Sequence, residues 1–113
     1  MTDVRSEGFA AQPLFTCREV VQVLRDVVLG RLEMTRVGDQ SWHEMDAGPF
    51  LVHVGTWTLA IYNDAGKIDY CDWCLDPSGR KWSLDSSSYR GGDPTALLST
   101  WEHAVLQRIL SAL

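Results

Sequence analysis

The run from Phe50 to Ile61 constrains the fold more than any other part of this chain. Apolar residues alternate along it on both sides of Gly55-Thr56, and this dipeptide fits a two-residue type II′ hairpin loop, whose first central position favours glycine. That loop places three apolar pairs opposite each other: Val54 with Trp57, Val52 with Leu59, and Phe50 with Ile61. A shift of one residue would break up this shared apolar face. The run therefore predicts an antiparallel hairpin with one buried face and one mixed face.

Two helices are predicted, one before and one after this hairpin. The first begins at Thr16-Cys17-Arg18-Glu19, which has the spacing of a capping box, and ends at Gly30, where a left-handed C-terminal residue is expected. The second opens at Asp93-Pro94, with Asp as the N-cap and Pro at the first helical position. We expect its core side to comprise Leu97, Leu98, Trp101, Val105, Ile109 and Leu110.

The remaining strands are bounded by turn residues. We predict strands over Ser41–Met45, Ile68–Trp73 and Lys81–Leu84, separated by turns at 46–49, 63–66 and 76–79. Because the connections are short, the sheet is expected to be antiparallel. The predicted class is α+β: an N-terminal helix, a four- to five-stranded antiparallel meander and a C-terminal helix, with both helices packed on one sheet face. Residues 1–13 are predicted to be a flexible tail, and residues 14–113 a single domain.

Composition excludes several function classes. The net charge of −5 and the scattered basic residues argue against binding to nucleic acid phosphates, which needs clustered Lys and Arg. No apolar run reaches the ~20 residues that span a bilayer, so no membrane role is expected. Three cysteines, with no apolar segment near the N-terminus that resembles a secretory signal, favour a reducing compartment. We expect a cytoplasmic protein.

Cys71-x-x-Cys74 has the spacing of a metal-binding or redox pair. A structural zinc site needs four ligands, and Cys17 and the histidines are the other donors of this kind. A redox pair normally lies at a helix N-terminus, whereas this pair lies in strand-like sequence. In a regular strand the two side chains point to opposite faces, so a bulge or tight turn at Asp72-Trp73 would be needed to bring them together. Ordinary half-buried cysteines are the main interpretation, and zinc bound by Cys71 and Cys74 is the alternative.

The other polar residues show no catalytic pattern. The histidines at 43, 53 and 103 have no metal-ligand spacing, and hairpin pairing through residues 46–49 would place His43 on the inner face and His53 opposite Trp42 on the outer one. The aspartates between residues 64 and 85 mostly flank turns, where Asp is selected for local hydrogen bonding. No glycine pattern predicts a phosphate or dinucleotide site. We therefore expect no cofactor and name no enzymatic reaction.

The second face of the predicted sheet is the best candidate for function; the alternative is that residues 1–13 or the polar loop over residues 86–92 cover part of it. It carries aromatic and aliphatic side chains suited to a protein interface: Trp42, Leu51, His53, Tyr62, Tyr70 and Trp73. The partner would be another protein or a second copy of the chain in a homodimer. An edge strand over Ser41–Met45 offers a further way to pair.

Several segments resemble a family of small uncharacterised bacterial proteins, typical of pseudomonads, that carry a domain of unknown function. These segments are Arg18–Val20 with Val23–Asp26, Gln40–Trp42, Leu59–Asp64, Asp69–Cys71 with Cys74, and Asp93–His103. The resemblance covers residues 14–113. It implies a bacterial cytoplasmic protein and supplies no activity.

Overall fold

The computed structural model describes residues 16–84 and 92–113. Two α-helices, five strands and two short 3-10 helices follow one another in this part of the chain. In chain order they are α1 (Cys17–Val28), β1 (Met34–Arg36), a first 3-10 helix (Trp42–Glu44), β2 (Ala47–Val54), β3 (Trp57–Asp64), β4 (Lys67–Leu75), β5 (Lys81–Ser83), a second 3-10 helix (Pro94–Leu97) and α2 (Thr100–Ser111). The predicted α+β class is confirmed.

The five strands form one antiparallel sheet in the order β1-β2-β3-β4-β5. The hairpin predicted from the sequence is present in its predicted register, because Val54 pairs with Trp57 and Phe50 with Ile61. Gly55 has a φ of +60°, as the first central residue of a type II′ loop requires. Each strand follows its neighbour in the chain, so the sheet is a simple meander.

The core lies between the two helices and one face of the sheet, which we call the inner face. It combines seven residues of α1 with Val52, Leu59, Ile61 and other inner-face residues, and with Leu106 and Leu110 of α2. At the start of α1, the Glu19 carboxylate accepts a hydrogen bond from the backbone N–H of Thr16 at 3.0 Å. After its end, Gly30 has a φ of +77°. Both helix signals in the sequence are therefore confirmed.

The second predicted helix begins later than the sequence suggested. Asp93 does cap Pro94–Leu97, but this segment is a 3-10 helix that ends at Leu98, whose backbone is extended. Ser99 then caps α2 by accepting a hydrogen bond from the backbone N–H of Glu102. This second cap rotates the helix relative to the expected stripe. Leu98 remains buried, whereas Leu97 and Trp101 are exposed, and their predicted place in the core is wrong.

The strand predicted over Ser41–Met45 is also wrong, because Trp42–Glu44 is a 3-10 helix. Ser41 and Glu44 form a capping box, in which Glu44 accepts from the backbone N–H of Ser41 at 2.7 Å. The sequence between this helix and Phe50 is no hairpin turn, since β2 already begins at Ala47. The edge strand next to β2 is instead β1, and Met34 pairs with Val54.

The strand β4 contains two bulges, each with an aspartate as the extra residue. Ala60 and Ile61 of β3 pair with Trp73 and Cys71, so Asp72 has no partner across the sheet. Nearer the start of β4, Tyr62 and Asn63 of β3 pair with Tyr70 and Ile68, so Asp69 also has no partner across the sheet. Each bulge moves the following side chains to the other face.

Some expectations fall outside the described residues. They are the tail over residues 1–13 and residues 86–91 of the polar loop after β5. Within the described ranges, neither helix has the length and apolar character needed to cross a bilayer.

Candidate interaction surface

The sheet face that is turned away from the helices carries three rows of side chains across its strands. We call this the outer face. The strand register defines its rows: Pro49–Tyr62–Tyr70, Leu51–Ala60–Trp73–Ser83, and Thr35–His53–Thr58–Leu75–Lys81. None of these side chains belongs to the buried core cluster between the sheet and the helices. The outer face is therefore a surface distinct from that core.

Aromatic side chains occupy the centre and one end of the outer face. The rings of Tyr62 and Tyr70 stack with centroids 5.0 Å apart and planes 8° from parallel. The ammonium of Lys81 lies 5.5 Å from the centre of the Trp73 ring, within cation–π distance. Ala60 is fully buried although it lies outside the core, and larger side chains flank it in its row.

Five of the six residues predicted to form the interaction surface lie on the outer face. Leu51, Tyr62, Tyr70 and Trp73 are half-buried, and His53 is exposed between Thr35 and Thr58. The predicted position of Trp42 on this face is wrong. The Trp42 indole is fully buried in the core, because the 3-10 helix turns it inward.

Trp42 takes part in a buried polar network that joins three elements. Its indole N–H donates to the carbonyl of Gly66 at 2.9 Å, and Gln107 of α2 donates to the same carbonyl at 3.1 Å. The fully buried Asn63 donates to the Trp42 carbonyl at 2.8 Å and accepts from the backbone N–H of Gly66 at 2.7 Å. This turn between β3 and β4 thus ties the sheet to the helix layer.

The bulge at Asp72 decides where the two cysteines of the CxxC pair lie. Cys71 pairs with Ile61 and Cys74 with Leu59, and both of these partners face the core. Both cysteines are therefore on the inner face, and both are completely buried. The prediction of half-buried cysteines understated this burial. The condition stated for their meeting on one face, a bulge at Asp72-Trp73, is fulfilled.

The surroundings of these thiols favour their neutral form. Burial raises the pKa of Cys71 well above its usual value, and the neighbouring Cys74 and Asp93 raise it further. Burial and the charge of Asp76 raise the pKa of Cys74 to about 12. Burial also raises the pKa of Cys17, whose thiol donates to the Gly92 carbonyl at 3.2 Å. Among residues 16–84 and 92–113, no three His, Cys, Asp or Glu side chains are placed to hold one metal ion together.

The histidines do not belong to any group of side chains placed to hold one metal ion in the described residues. His43 is exposed, so its predicted inner position is wrong, and His53 faces Thr58 rather than Trp42. Glu102 joins the two helices through Arg25, with a Nε–Oε2 distance of 3.1 Å.

The aspartates have local structural roles, as expected from their positions near turns. Asp76 accepts hydrogen bonds from the backbone N–H groups of Ser78 and Arg80 and from the Arg80 guanidinium at 2.6 Å. Its burial alone would raise the carboxyl pKa, but these hydrogen bonds and the Arg80 charge lower the pKa of Asp76 to about 2. Asp93 likewise accepts from the backbone N–H of Cys71 at 2.8 Å.

Two features of the surface are not predicted from the sequence. Lys81 is predicted only as a strand residue. The pairing of β4 with β5 places it opposite Leu75, and from there its ammonium reaches the Trp73 ring. Trp101 was placed in the core but is 60% exposed. The Ser99-x-x-Glu102 capping box was the signal that would have shifted the start of α2 and turned Trp101 outward.

The fold and the surface together define a small α+β domain whose antiparallel sheet is covered by helices on one face. Residues 14–112 match the family model described as Domain of unknown function (DUF7693), and the chain belongs to that family. No curated protein and no solved structure matches the chain.

Proposed function

We propose that this domain is a non-catalytic interaction or regulatory module that binds a protein partner, or a second copy of itself, through the outer face. One observation carries the proposal: both helices pack on the inner face, while the outer face presents adjacent apolar and aromatic side chains outside the core. Leu51, Tyr62, Tyr70 and Trp73 form that apolar surface.

The chemistry of these side chains suits an interface. Tyrosine and tryptophan are enriched among residues that dominate binding energy, because each covers a large apolar area and also offers a hydrogen bond. The stacking of Tyr62 on Tyr70 and the contact of Lys81 with Trp73 limit the freedom of these rings before binding. Less conformational entropy is then lost when a partner covers them.

The experiment pairs native mass with site-directed crosslinking. A photo-crosslinking residue replaces Thr58, which lies at the centre of an outer-face row, and the matched control places the same residue at the exposed Ala112 after α2. We expect crosslinks to a second copy or to one partner protein from position 58 and fewer from position 112. Trp73→Ala should weaken that association by at least about tenfold. A monodisperse monomer without crosslinks at position 58 would contradict the proposal.

Zinc binding through Cys71 and Cys74 is a second candidate, favoured by the bulge that places both thiols on the inner face. Their raised pKa values work against it, because zinc binds the thiolate. Elemental analysis of protein purified without chelator tests it. About one zinc per chain, lost in Cys71→Ser, would support this candidate. Absence of zinc from the folded protein would eliminate it.

We further propose that the protein acts in the bacterial cytoplasm and binds neither nucleic acid nor membrane. The free, buried cysteines at 17, 71 and 74 support a reducing compartment. The net charge of −5 supports the absence of nucleic acid binding. Fractionation of the native host tests the cytoplasmic location and the absence of membrane binding. A filter-binding assay with duplex DNA at low salt tests the absence of nucleic acid binding.

A further inference from the structure

A second surface, on the helix layer, has features that the outer face does not explain. The helix α2 buries Leu106 and Leu110, yet its Trp101 is 60% exposed and the preceding Leu97 is 50% exposed. Neither side chain contributes to the core cluster. Two large apolar side chains are thus exposed to solvent, Leu97 at the end of the second 3-10 helix and Trp101 in the first turn of α2.

An open cleft of about 560 Å³ runs along α2 and the 3-10 helix before it. It is lined by Thr95, Ala96, Leu98, Thr100, His103, Ala104, Gln107 and Arg108. The amide of Gln107 is fixed, since it accepts from the backbone N–H of Ile68 at 3.0 Å and donates to the Gly66 carbonyl at 3.1 Å.

The charge of this cleft is opposite to that of the whole chain. Among the residues that the structure describes, no carboxylate lines the cleft, and Arg108 and His103 supply its ionisable side chains, although the protein has a net charge of −5. Arg25 and Arg80 pair with carboxylates of the chain. Within residues 16–84 and 92–113, the Arg108 guanidinium has no ion-pair partner.

We infer that this cleft binds an acidic, amphipathic segment of a partner protein. A carboxylate of that segment pairs with Arg108 beside His103, and an apolar side chain of the segment packs on Trp101 and Leu97. Arginine and tryptophan are among the residue types most enriched at binding hot spots, and Trp101 and Arg108 lie two turns apart on the same side of α2. The acidic character of the segment follows from the Arg108 guanidinium, and its amphipathic character from the exposed side chains of Trp101 and Leu97.

The test is a selection from a displayed library of random short peptides against the immobilised full-length chain. Because the library contains peptides of every charge, we expect the selected peptides to combine Asp or Glu with aromatic or aliphatic residues. Synthetic versions should shift the NMR signal of the Trp101 indole N–H. Versions with Asn and Gln in place of Asp and Glu should not.

Two matched arginine variants separate a specific contact from a general charge effect. Arg108→Gln should weaken binding of a selected acidic peptide by about tenfold or more, because it removes the paired charge. Arg18→Gln removes an exposed arginine of α1 and should change the affinity by less than about twofold. Trp73→Ala, on the outer face, should leave this binding unchanged. The native NMR spectrum of each variant verifies its fold.

Three results would overturn the inference. They are a selection that yields no peptides, selected peptides without acidic residues, and equal loss of affinity in Arg108→Gln and Arg18→Gln. None of these three results depends on whether the outer face binds a partner, because crosslinking at position 58 tests that separately. The inference and the proposed function can therefore fail separately.

Discussion

Replacement of Ala65 by asparagine should stabilise this protein. Ala65 and Gly66 form the two-residue turn between the paired residues Asp64 and Lys67, and their φ angles are +53° and +88°. Positive φ at both central residues is the pattern of a type I′ turn, whose preferred sequence is Asn-Gly. Ala65 is the non-glycine residue that has a positive φ in the described part of the chain. The side chain is exposed, so a larger one has room.

The magnitude follows from backbone sterics. An alanine in the left-handed region is disfavoured by about 1–2 kcal/mol, and asparagine relieves part of that strain. We therefore expect Ala65→Asn to raise the free energy of unfolding by about 1 kcal/mol, or Tm by about 4 °C in a domain of this size. Ala65→Gly should stabilise less, because glycine adds about 0.4–1 kcal/mol of chain entropy to the unfolded state. The backbone N–H of residue 65 keeps its bond to the Asp46 carbonyl in each case.

Urea unfolding and thermal melting measure both quantities. Ala104→Asn is the control, since it places the same residue at an exposed helical position and should destabilise by about 0.5 kcal/mol. Ala65→Val should destabilise, because a β-branched residue fits the left-handed region poorly. The reasoning would be refuted if Ala65→Asn lowered Tm, or if Ala65→Val matched the stability of the parent chain.

Three further predictions concern buried and paired polar groups. Asn63→Ala should lower the free energy of unfolding by about 3 kcal/mol in urea titration, since it leaves two backbone groups without their partner; a loss below that of Ala104→Asn would contradict this. Because the pKa of Asp76 is lowered to about 2 in the folded state, its stabilisation is present above pH 4 and is lost as the pH falls toward 2. Thermal melts should show a smaller loss over this pH window in Asp76→Asn than in the parent chain, and parallel curves would refute the assignment. A double-mutant cycle on Arg25 and Glu102, whose side chains are 41% and 16% exposed, should give a coupling free energy of about 0.5–1 kcal/mol. A coupling of zero would show that this ion pair does not stabilise the fold.

The central sheet was predictable because its signals are local. Alternating side chains on both sides of Gly55-Thr56 define the register of β2 and β3, and no distant contact is needed to decide it. The cap of α1 at Thr16 and its end at Gly30 are equally local signals. For the same reason, the outer position of Leu51 and Tyr62 followed directly from the hairpin.

The errors arose where two local signals competed. Ser41 to Met45 has strand-like residues, but its capping box favours a helical turn, and the burial of Trp42 against Phe50 selects that turn. Asp93 and Ser99 are both good N-caps, and the chain uses both, which interrupts the predicted helix.

The position of the cysteines could not be predicted from alternation alone. The bulge at Asp69 moves Tyr70 and Cys71 to the faces opposite to those that alternation from Ile68 predicts, and the bulge at Asp72 restores the alternation from Trp73 onward. A pattern of period two contains no sign of either insertion. The sequence also does not show that Arg108 lacks an ion-pair partner among the described residues, because this depends on which carboxylates the fold gives to the other arginines.

The short outermost strands also limit the pairing of further copies of this protein at the edges of the sheet. β1 and β5 each have three residues, so each sheet edge has few backbone groups for a newly arriving chain. Arg36 in β1 is also tied to the Leu113 carbonyl at 3.1 Å. Fibril-like growth requires long, flat edges that template strand after strand, and such growth is disfavoured here. A symmetric dimer formed through the outer face, in contrast, would close after two copies and would therefore be finite in size.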